Sequence, residues 1–247
     1  MESLSCLGQN FKQLIFYMIL GGIVNSLKDI FFPVNCLNCA KEGAFVCNEC
    51  FETLDLSGVF CCPICHKETI DGNYCDNCQP LFIDKHVAAI KYLETDLIGE
   101  IIHNFKYQYV EDLDKIIEKM LINFFANKKI SDIDLITFVP LHSRRYVERG
   151  FNQAEKIAIL CGKILHKPVT NLLKRTRYTH PQAQFKRQER LVNLQNAFSL
   201  ENKKDVFAKN ILVVDDVFTT GSTIQECAKV LKLHKAANVY GFSLARG

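Results

Sequence analysis

The run Ile211-Leu212-Val213-Val214-Asp215-Asp216-Val217-Phe218-Thr219-Thr220-Gly221-Ser222-Thr223 constrains the fold of this chain more than any other stretch. Its first four residues are apolar and, except for Leu212, β-branched, which predicts a strand buried on both faces and ended by the two carboxylates. Thr-Thr-Gly-Ser-Thr follows, and Ile224, Cys227, Ala228 and Leu231 then recur at the spacing of one helix face. A strand, a hydroxylated turn and a helix N-terminus make an anion site, because unpaired N–H groups and the helix dipole point at the ligand. Gly221 lets the backbone close on a phosphate with no Cβ in the way. A Walker loop would end in Lys-Ser/Thr and a dinucleotide turn would read G-x-G-x-x-G; this run does neither.

Two carboxylates would repel a bare phosphate, so they serve another part of the same ligand. Sugar hydroxyls, which donate to carboxylates, and a divalent cation both fit. With the turn on phosphate and the acids on two neighbouring hydroxyls, the ligand is a ribose 5-phosphate group. The competing reading is an ordinary buried strand that ends in a polar turn. The run resembles, at essentially every position, the phosphoribosyl-pyrophosphate (PRPP) motif of type I phosphoribosyltransferases.

The 247 residues allow one large domain, or a medium domain with a small appendage, and 48% apolar content is enough for a core. A net charge of +3 argues neither for nor against nucleic acid. Ten of the 12 cysteines precede residue 80, and eight of those form C-x-x-C pairs. Cys36 and Cys39 with Cys47 and Cys50 make one unit; Cys62 and Cys65 with Cys75 and Cys78 make a second. Each pair turns two sulfurs toward one tetrahedral ion, so eight thiols fit two closed, structural zinc sites. Metal binding would supply most of the folding energy of so short a segment, about 10–16 kcal/mol per site. Consecutive pairing is favoured over a cross-braced scheme because each short intervening loop closes cheaply. Cys61 and His66 read as bystanders, and tandem pairs disfavour a redox motif. Thiolate ligation needs a reducing setting, which implies the cytoplasm.

Residues 1–32 contain the apolar run Leu14–Leu20, too short for a membrane span of about 20 residues. An export signal or a true start at Met18 are competing readings, and the thiol cassette downstream disfavours export. An amphipathic helix with Leu20, Val24, Leu27 and Phe31 as its packing face is preferred.

Downstream, Val87–Tyr92 predicts a strand, and the repeats Leu97–Phe105 and Leu113–Phe124 predict two helices. Lys106, at the end of the first helix, is either a ligand contact or a C-terminal dipole partner, with the second preferred. Leu135–Val139 is a further buried strand, stopped by Pro140. It leads into a loop with Arg144, Arg145 and Arg149, then a helix from Ala154 with Asn152 as its N-cap. Ligands of open parallel sheets gather at strand carboxyl ends, so this arginine loop and the Asp215-Asp216 turn are expected to face one crevice. Forked guanidinium donors there suit a diphosphate, the alternative being a solvated basic loop. The segment Thr176–Arg190 reads as a mobile loop. It would either close over a reactive diphosphate or offer Lys186, Arg187 and Arg190, with Phe185, to single-stranded nucleic acid.

From about Phe31 the chain resembles the ComF family, which joins a cysteine-rich zinc module to a type I phosphoribosyltransferase-like domain. The resemblance rests on the C-x-x-C cassette, on Pro140-Leu141-His142 through Arg149-Gly150-Phe151-Asn152-Gln153, and on Asp215-Asp216. Arg177, Thr179, Gln184, Arg187, Arg190 and Asn193 also look like the family's intermediate pattern. Phe185-Lys186 departs from the Leu-Ser pair that many members carry.

The resemblance implies three parts: an N-terminal segment (1–32), a double zinc module (33–80), and an α/β domain with a mostly parallel sheet flanked by helices (81–247). It implies PRPP binding with magnesium at Asp215, Asp216, Thr219, Thr220, Gly221, Ser222 and Thr223, beside two structural zinc ions. It also implies natural competence, with incoming single-stranded DNA and DNA-uptake proteins as cytoplasmic partners. An enzyme of this kind would be a pentosyl-transferring phosphoribosyltransferase, with Asp215, Asp216, Arg144, Arg145 and Arg149 as catalytic residues. The alternative is such an enzyme in base metabolism with no DNA role.

Overall fold

The computed structural model describes residues 34–107, 111–128, 130, 132–177, 196–201 and 206–247. The amphipathic helix expected before residue 33 lies outside the described residues, as do Lys186, Arg187 and Arg190. The chain divides into two compact units, Met1–Phe51 and Glu52–Gly247. In the first, the described residues form tight turns. The Ala40 N–H donates to the Cys36 carbonyl and the Cys36 N–H to the Lys41 carbonyl, both at 2.9 Å. A one-turn helix, α1 (Asn48–Glu52), then carries Cys50.

The second unit runs β1 (Val59–Phe60), β2 (Lys85–Lys91), α2 (Leu97–Tyr107), α3 (Glu111–Asn127), β3 (Leu135–Phe138), α4 (Ser143–Arg149), α5 (Gln153–Leu165), β4 (Leu173–Arg175), β5 (Phe198–Leu200), β6 (Asn210–Phe218), α6 (Ser222–Leu233) and β7 (Asn238–Arg246). Five strands make one sheet in the order β1-β2-β7-β6-β3, and β4 pairs with β5 in a separate two-stranded arm. Only β1 runs antiparallel to its neighbour in the large sheet; β2, β7, β6 and β3 are parallel. This is the α/β architecture expected, with a mostly parallel sheet flanked by helices.

Strand β6 is central because its sequence requires cover on both sides. Ile211, Leu212, Val213 and Val214 have no exposed surface, and α5 and α6 both pack on the strand. Helix α3 shows the same economy, with Leu113, Ile117, Met120, Leu121 and Phe124 on one face and fully buried. The Phe242 ring lies 5.6 Å from that of Phe124 and 5.3 Å from that of Phe125, a compact aromatic knot beside the sheet.

Two local features differ from the sequence expectation. The acids do not end β6, which pairs with β7 as far as Phe218, opposite Arg246. Strand β7, which the hydropathy pattern does not announce, extends the ladder past the carboxylates. The stretch holding Arg144, Arg145 and Arg149 is the short helix α4 rather than a loop. It starts on His142, whose Nδ1 accepts from the Arg144 N–H, and stops at Gly150 in the left-handed region (φ 77°). Among the described residues, no helix is long and apolar enough to cross a membrane.

Truncating the aromatic knot tests this packing. Phe242→Ala is expected to cost about 3–5 kcal/mol. A lower denaturation midpoint for the metal-loaded protein would show it, and an unchanged midpoint would contradict the packing described.

Candidate functional site

The carboxyl ends of the neighbouring parallel strands β3 and β6 open into one cleft of about 370 Å³. Asp215, Asp216, Thr219 and Thr223 line it from β6 and the following turn, Arg145 and Arg149 from α4, Lys106 from α2, and Arg175 from β4. Asn152 fixes the α4–α5 corner. Its Oδ1 accepts from the Ala154 N–H at 3.1 Å, and its Nδ2 donates to the Val139 carbonyl at 3.0 Å, so one side chain caps α5 and ties it to the end of β3. Gln153 then links α5 to α2: its Nε2 donates to the Lys106 carbonyl at 3.3 Å, while its Oε1 accepts from Arg149 Nη1 at 3.2 Å.

The charges are arranged in opposition. Lys106 Nζ lies 2.9 Å from Asp216 Oδ2, with both side chains mostly buried. Burial alone would raise the Asp216 carboxyl, but the charge and hydrogen bond of Lys106, and the Val217 N–H, outweigh it and hold the group below the usual carboxylate range. Asp215 goes the other way: burial first, and then the charge of Asp216, push it well above that range. Burial opposes the Lys106 ammonium too, and the attraction of Asp216 more than offsets it. The cationic wall is also under strain. Burial, then the neighbouring Arg145, lower the Arg175 guanidinium from its ordinary value. Among the described residues, one terminal nitrogen of Arg145 is buried without a hydrogen-bond partner. A buried guanidinium N–H left open toward a cleft is costly unless an anion arrives to accept from it.

The turn after β6 has the shape its sequence promised. Gly221 sits in the left-handed region (φ 73°) as the N-cap of α6, where a Cβ would collide with the Phe218 ring. The Gln225 N–H closes on the Gly221 carbonyl at 2.9 Å, and the Thr220 and Ser222 hydroxyls are 2.9 Å apart. Hydroxyls and the N-terminal turn of a 12-residue helix thus adjoin Asp215.

Among the described residues eight cysteines form two groups of four: Cys36, Cys39, Cys47 and Cys50 in the first unit, and Cys62, Cys65, Cys75 and Cys78 in the second. Within each group the sulfurs lie within 4.8 Å of one another. A tetrahedral ion with zinc–sulfur bonds of about 2.3 Å would hold its sulfurs about 3.8 Å apart. The Cys39–Cys47 separation of 3.7 Å and the Cys65–Cys75 separation of 3.5 Å fit that edge. Burial would raise the Cys62 thiol, but the N–H groups of Cys65, Cys75 and Ile64 bring it down to about 6. In the same group, burial and the neighbouring sulfurs push Cys78 up to about 12. Four thiols this close cannot all ionise without a cation among them, and both groups are compatible with structural zinc.

No protein-family model matches the chain. Competence protein F of Haemophilus influenzae is 30% identical to it over 230 residues, which cover 87% of this chain and 98% of that protein. The chain belongs to the ComF family. DNA utilization protein YhgH of Escherichia coli K12, 28% identical over 205 residues, covers 75% of this chain and 89% of its own. Among solved structures, the glutamine PRPP amidotransferase of B. subtilis, complexed with ADP and GMP, superposes on 58% of this ComF-family chain and 30% of its own length. The TM-score is 0.40 and the identity 17%.

The cleft of this ComF-family protein gathers Asp215, Asp216, Arg145 and Arg149 as expected, with the Thr219–Thr223 turn at its edge. Arg144 is not among the lining residues; it pairs with Glu148 at 3.3 Å on the exposed side of α4. The cysteines pair consecutively, and the second group lies within the larger unit. Sequence reasoning missed two residues. Lys106 was read as a dipole partner, and its separation of 110 positions from Asp216 hides the ion pair. Arg175 belongs to none of the motifs in the sequence, and it lines the cleft from β4, which pairs with β5.

The ion pair can be tested by titration. The stabilisation from Asp216 is complete above the unfolded carboxylate value, about 3.9, and is lost as pH falls through the lower folded value. Lys106→Met removes it, so the stability gap between wild type and variant is expected to narrow from pH 7 toward pH 2. The two acids of the variant should titrate together at a higher apparent pKa in carbon NMR. Superimposable titration curves would show that Lys106 does not control the pair.

Proposed function

We propose that this protein binds PRPP together with magnesium, and that it acts in natural competence, handling incoming single-stranded DNA in the cytoplasm. The observation that carries the ligand is one cleft lined by the turn at a helix N-terminus, a carboxylate pair and partly buried arginines. The phosphate takes the hydroxyls and N–H groups of Thr219–Thr223. Asp216, kept anionic by Lys106, accepts from a ribose hydroxyl. Asp215, whose carboxyl is pushed well above its usual range by burial and the charge of Asp216, suits a ligand that arrives with a cation. Magnesium, when bound, would offset the charge of the diphosphate. The DNA role rests on the family and on the names of its relatives, one a competence protein and one a DNA utilization protein. In this reading both cysteine groups hold structural zinc, and residues 33–80 remain a double zinc module preceding the ligand-binding domain.

One feature favours transfer over binding alone. Arg145 and Arg175 place guanidinium charge, including a buried N–H with no partner, where a departing diphosphate would accumulate negative charge. As the bond from C1 to the diphosphate breaks and C1 becomes cationic, these groups would stabilise the leaving group, and Asp216 would hold the ribose still. Such a protein is a phosphoribosyltransferase, and its acceptor is either a base or a nucleic-acid group. Lys186, Arg187 and Arg190 are the proposed contacts to single-stranded DNA.

Calorimetric titration with PRPP, with and without magnesium, tests the ligand. Magnesium-dependent binding is expected, and replacing both Asp215 and Asp216 by Asn should weaken it about 100-fold, the scale of two lost charge-assisted hydrogen bonds. If the double variant binds as tightly as wild type, the assignment fails. Reversing the charge at Lys186, Arg187 and Arg190 is expected to weaken single-stranded DNA binding and flatten its salt dependence.

A further inference from the structure

The second cysteine group is joined to the phosphate turn by two separate routes, on opposite sides of that turn. The first runs through Arg246, the last residue of β7 and 3% exposed. Its Nη2 donates to the Cys62 carbonyl at 2.9 Å and its Nη1 to the Cys61 carbonyl at 3.2 Å. The same guanidinium lies 4.6 Å from the centre of the Phe218 ring. Phe218 is held from its other neighbour as well, stacked on His86 with ring centres 3.8 Å apart. His86 is fully buried, with Nδ1 at 3.3 Å from Arg246 and Nε2 at 2.8 Å from the Ser243 hydroxyl. Because Nδ1 faces a guanidinium donor, it accepts, and Nε2–H donates to Ser243. The Phe218 ring is therefore clamped, and it is the surface on which Gly221 rests.

The second route enters from the helix. Gln225, in the first turn of α6, accepts on Oε1 from the N–H groups of Phe82 (3.0 Å) and Ile83 (3.2 Å). Its Nε2 donates to the hydroxyl of Tyr74 at 3.1 Å, and that hydroxyl also accepts from the Leu81 N–H at 3.1 Å. Tyr74 directly precedes Cys75, a member of the cysteine group. The strand end before the turn and the helix after it are thus both fastened to backbone whose course the four sulfurs set.

We infer that Arg246 and Gln225 are positioning residues, through which the metal-holding group Cys62, Cys65, Cys75 and Cys78 sets the geometry of the Thr219–Thr223 turn and hence its affinity for phosphate. The inference goes beyond structural zinc, and it rests on the phosphate reading of that turn. The sulfurs need a cation to share the small space they occupy, and without one they separate, taking the Cys61–Cys62 carbonyls and Tyr74 with them. Arg246 then loses two acceptors and Gln225 one. A turn built on a left-handed glycine and a clamped ring has little else to hold its N–H groups in register.

The test uses the full chain loaded with zinc and three variants: Tyr74→Phe, Arg246→Lys and Cys78→Ser. Zinc content, thermal midpoint, hydrogen exchange of amides 219–223 against those of β3, and affinity for PRPP are measured for each. Tyr74→Phe and Arg246→Lys should keep the zinc content and β3 protection of wild type, with faster exchange in 219–223 and affinity about tenfold weaker. Cys78→Ser should lose one zinc and show the same local change. If Cys78→Ser loses its zinc while exchange in 219–223 stays at the wild-type level, the coupling is overturned. Should Arg246→Lys not fold, Tyr74→Phe, which removes one hydroxyl, decides in its place: unchanged exchange overturns the Gln225 route. If wild type itself does not bind PRPP, the phosphate reading fails, and the exchange data still decide the coupling.

Discussion

The parallel pairing of β6 between β3 and β7 is the constraint on which the other features depend. Buried on both faces and paired on both edges, β6 has no freedom to shift register: a slip of one residue would turn Asp215 and Asp216 to the opposite faces. The ladder with β7 runs to Phe218 and Arg246, past the acids. The carboxylates therefore stand on rigid strand, and the change to a flexible backbone is delayed to Thr219. The neighbouring end of β3 passes straight into the α4–α5 corner, pinned by Asn152, so acids and arginines share one cleft.

That placement has an electrostatic cost that the cleft manages unequally. Two unit charges 4 Å apart interact by about 4 kcal/mol at the effective dielectric of a protein surface. Asp216 is relieved by Lys106, whereas burial and the charge of Asp216 push the Asp215 carboxyl well above its usual range. On the facing wall burial, and then the charge of Arg145, lower the Arg175 guanidinium. Like charges are thus held together on each side of the cleft, carboxylates on one wall and guanidinium groups on the other. Sites of this kind concentrate shifted pKa values because function, not stability, sets their composition.

The cysteine groups answer a different problem. Short turns such as Cys36–Ala40 bury too little apolar surface to hold themselves, so N–H···S bonds and four clustered sulfurs, compatible with a zinc ion among them, take the place of a core. The second group contributes more than its own fold. It lies in the same compact unit as the cleft, and its backbone carbonyls accept from Arg246, a cation buried at the end of β7.

The features legible in the sequence were those written in neighbouring residues. The apolar run of β6, the spacing of α3, the cap at Asn152, the glycine of the turn after β6 and the consecutive pairing of C-x-x-C motifs all depend on contacts within a few positions, where chain geometry leaves few alternatives. Spacing by itself determined a buried strand, an acid pair, a hydroxylated turn before a helix and two four-thiol groups; the α/β fold was implied by the family resemblance those motifs carry. Tertiary structure alone decided which cations face those acids. Lys106 and Arg175 reach the cleft from α2 and β4, while Arg144, adjacent in sequence to Arg145, turns to Glu148 on the outside of a helix. Only folding showed that the Cys62 backbone, Arg246 and Phe218 form one stack beneath Gly221. The reason is physical: side-chain direction on α4 follows the helical turn, and ion pairs across 110 positions, like the parallel β6–β7 pairing, come from sheet order, which no local pattern encodes.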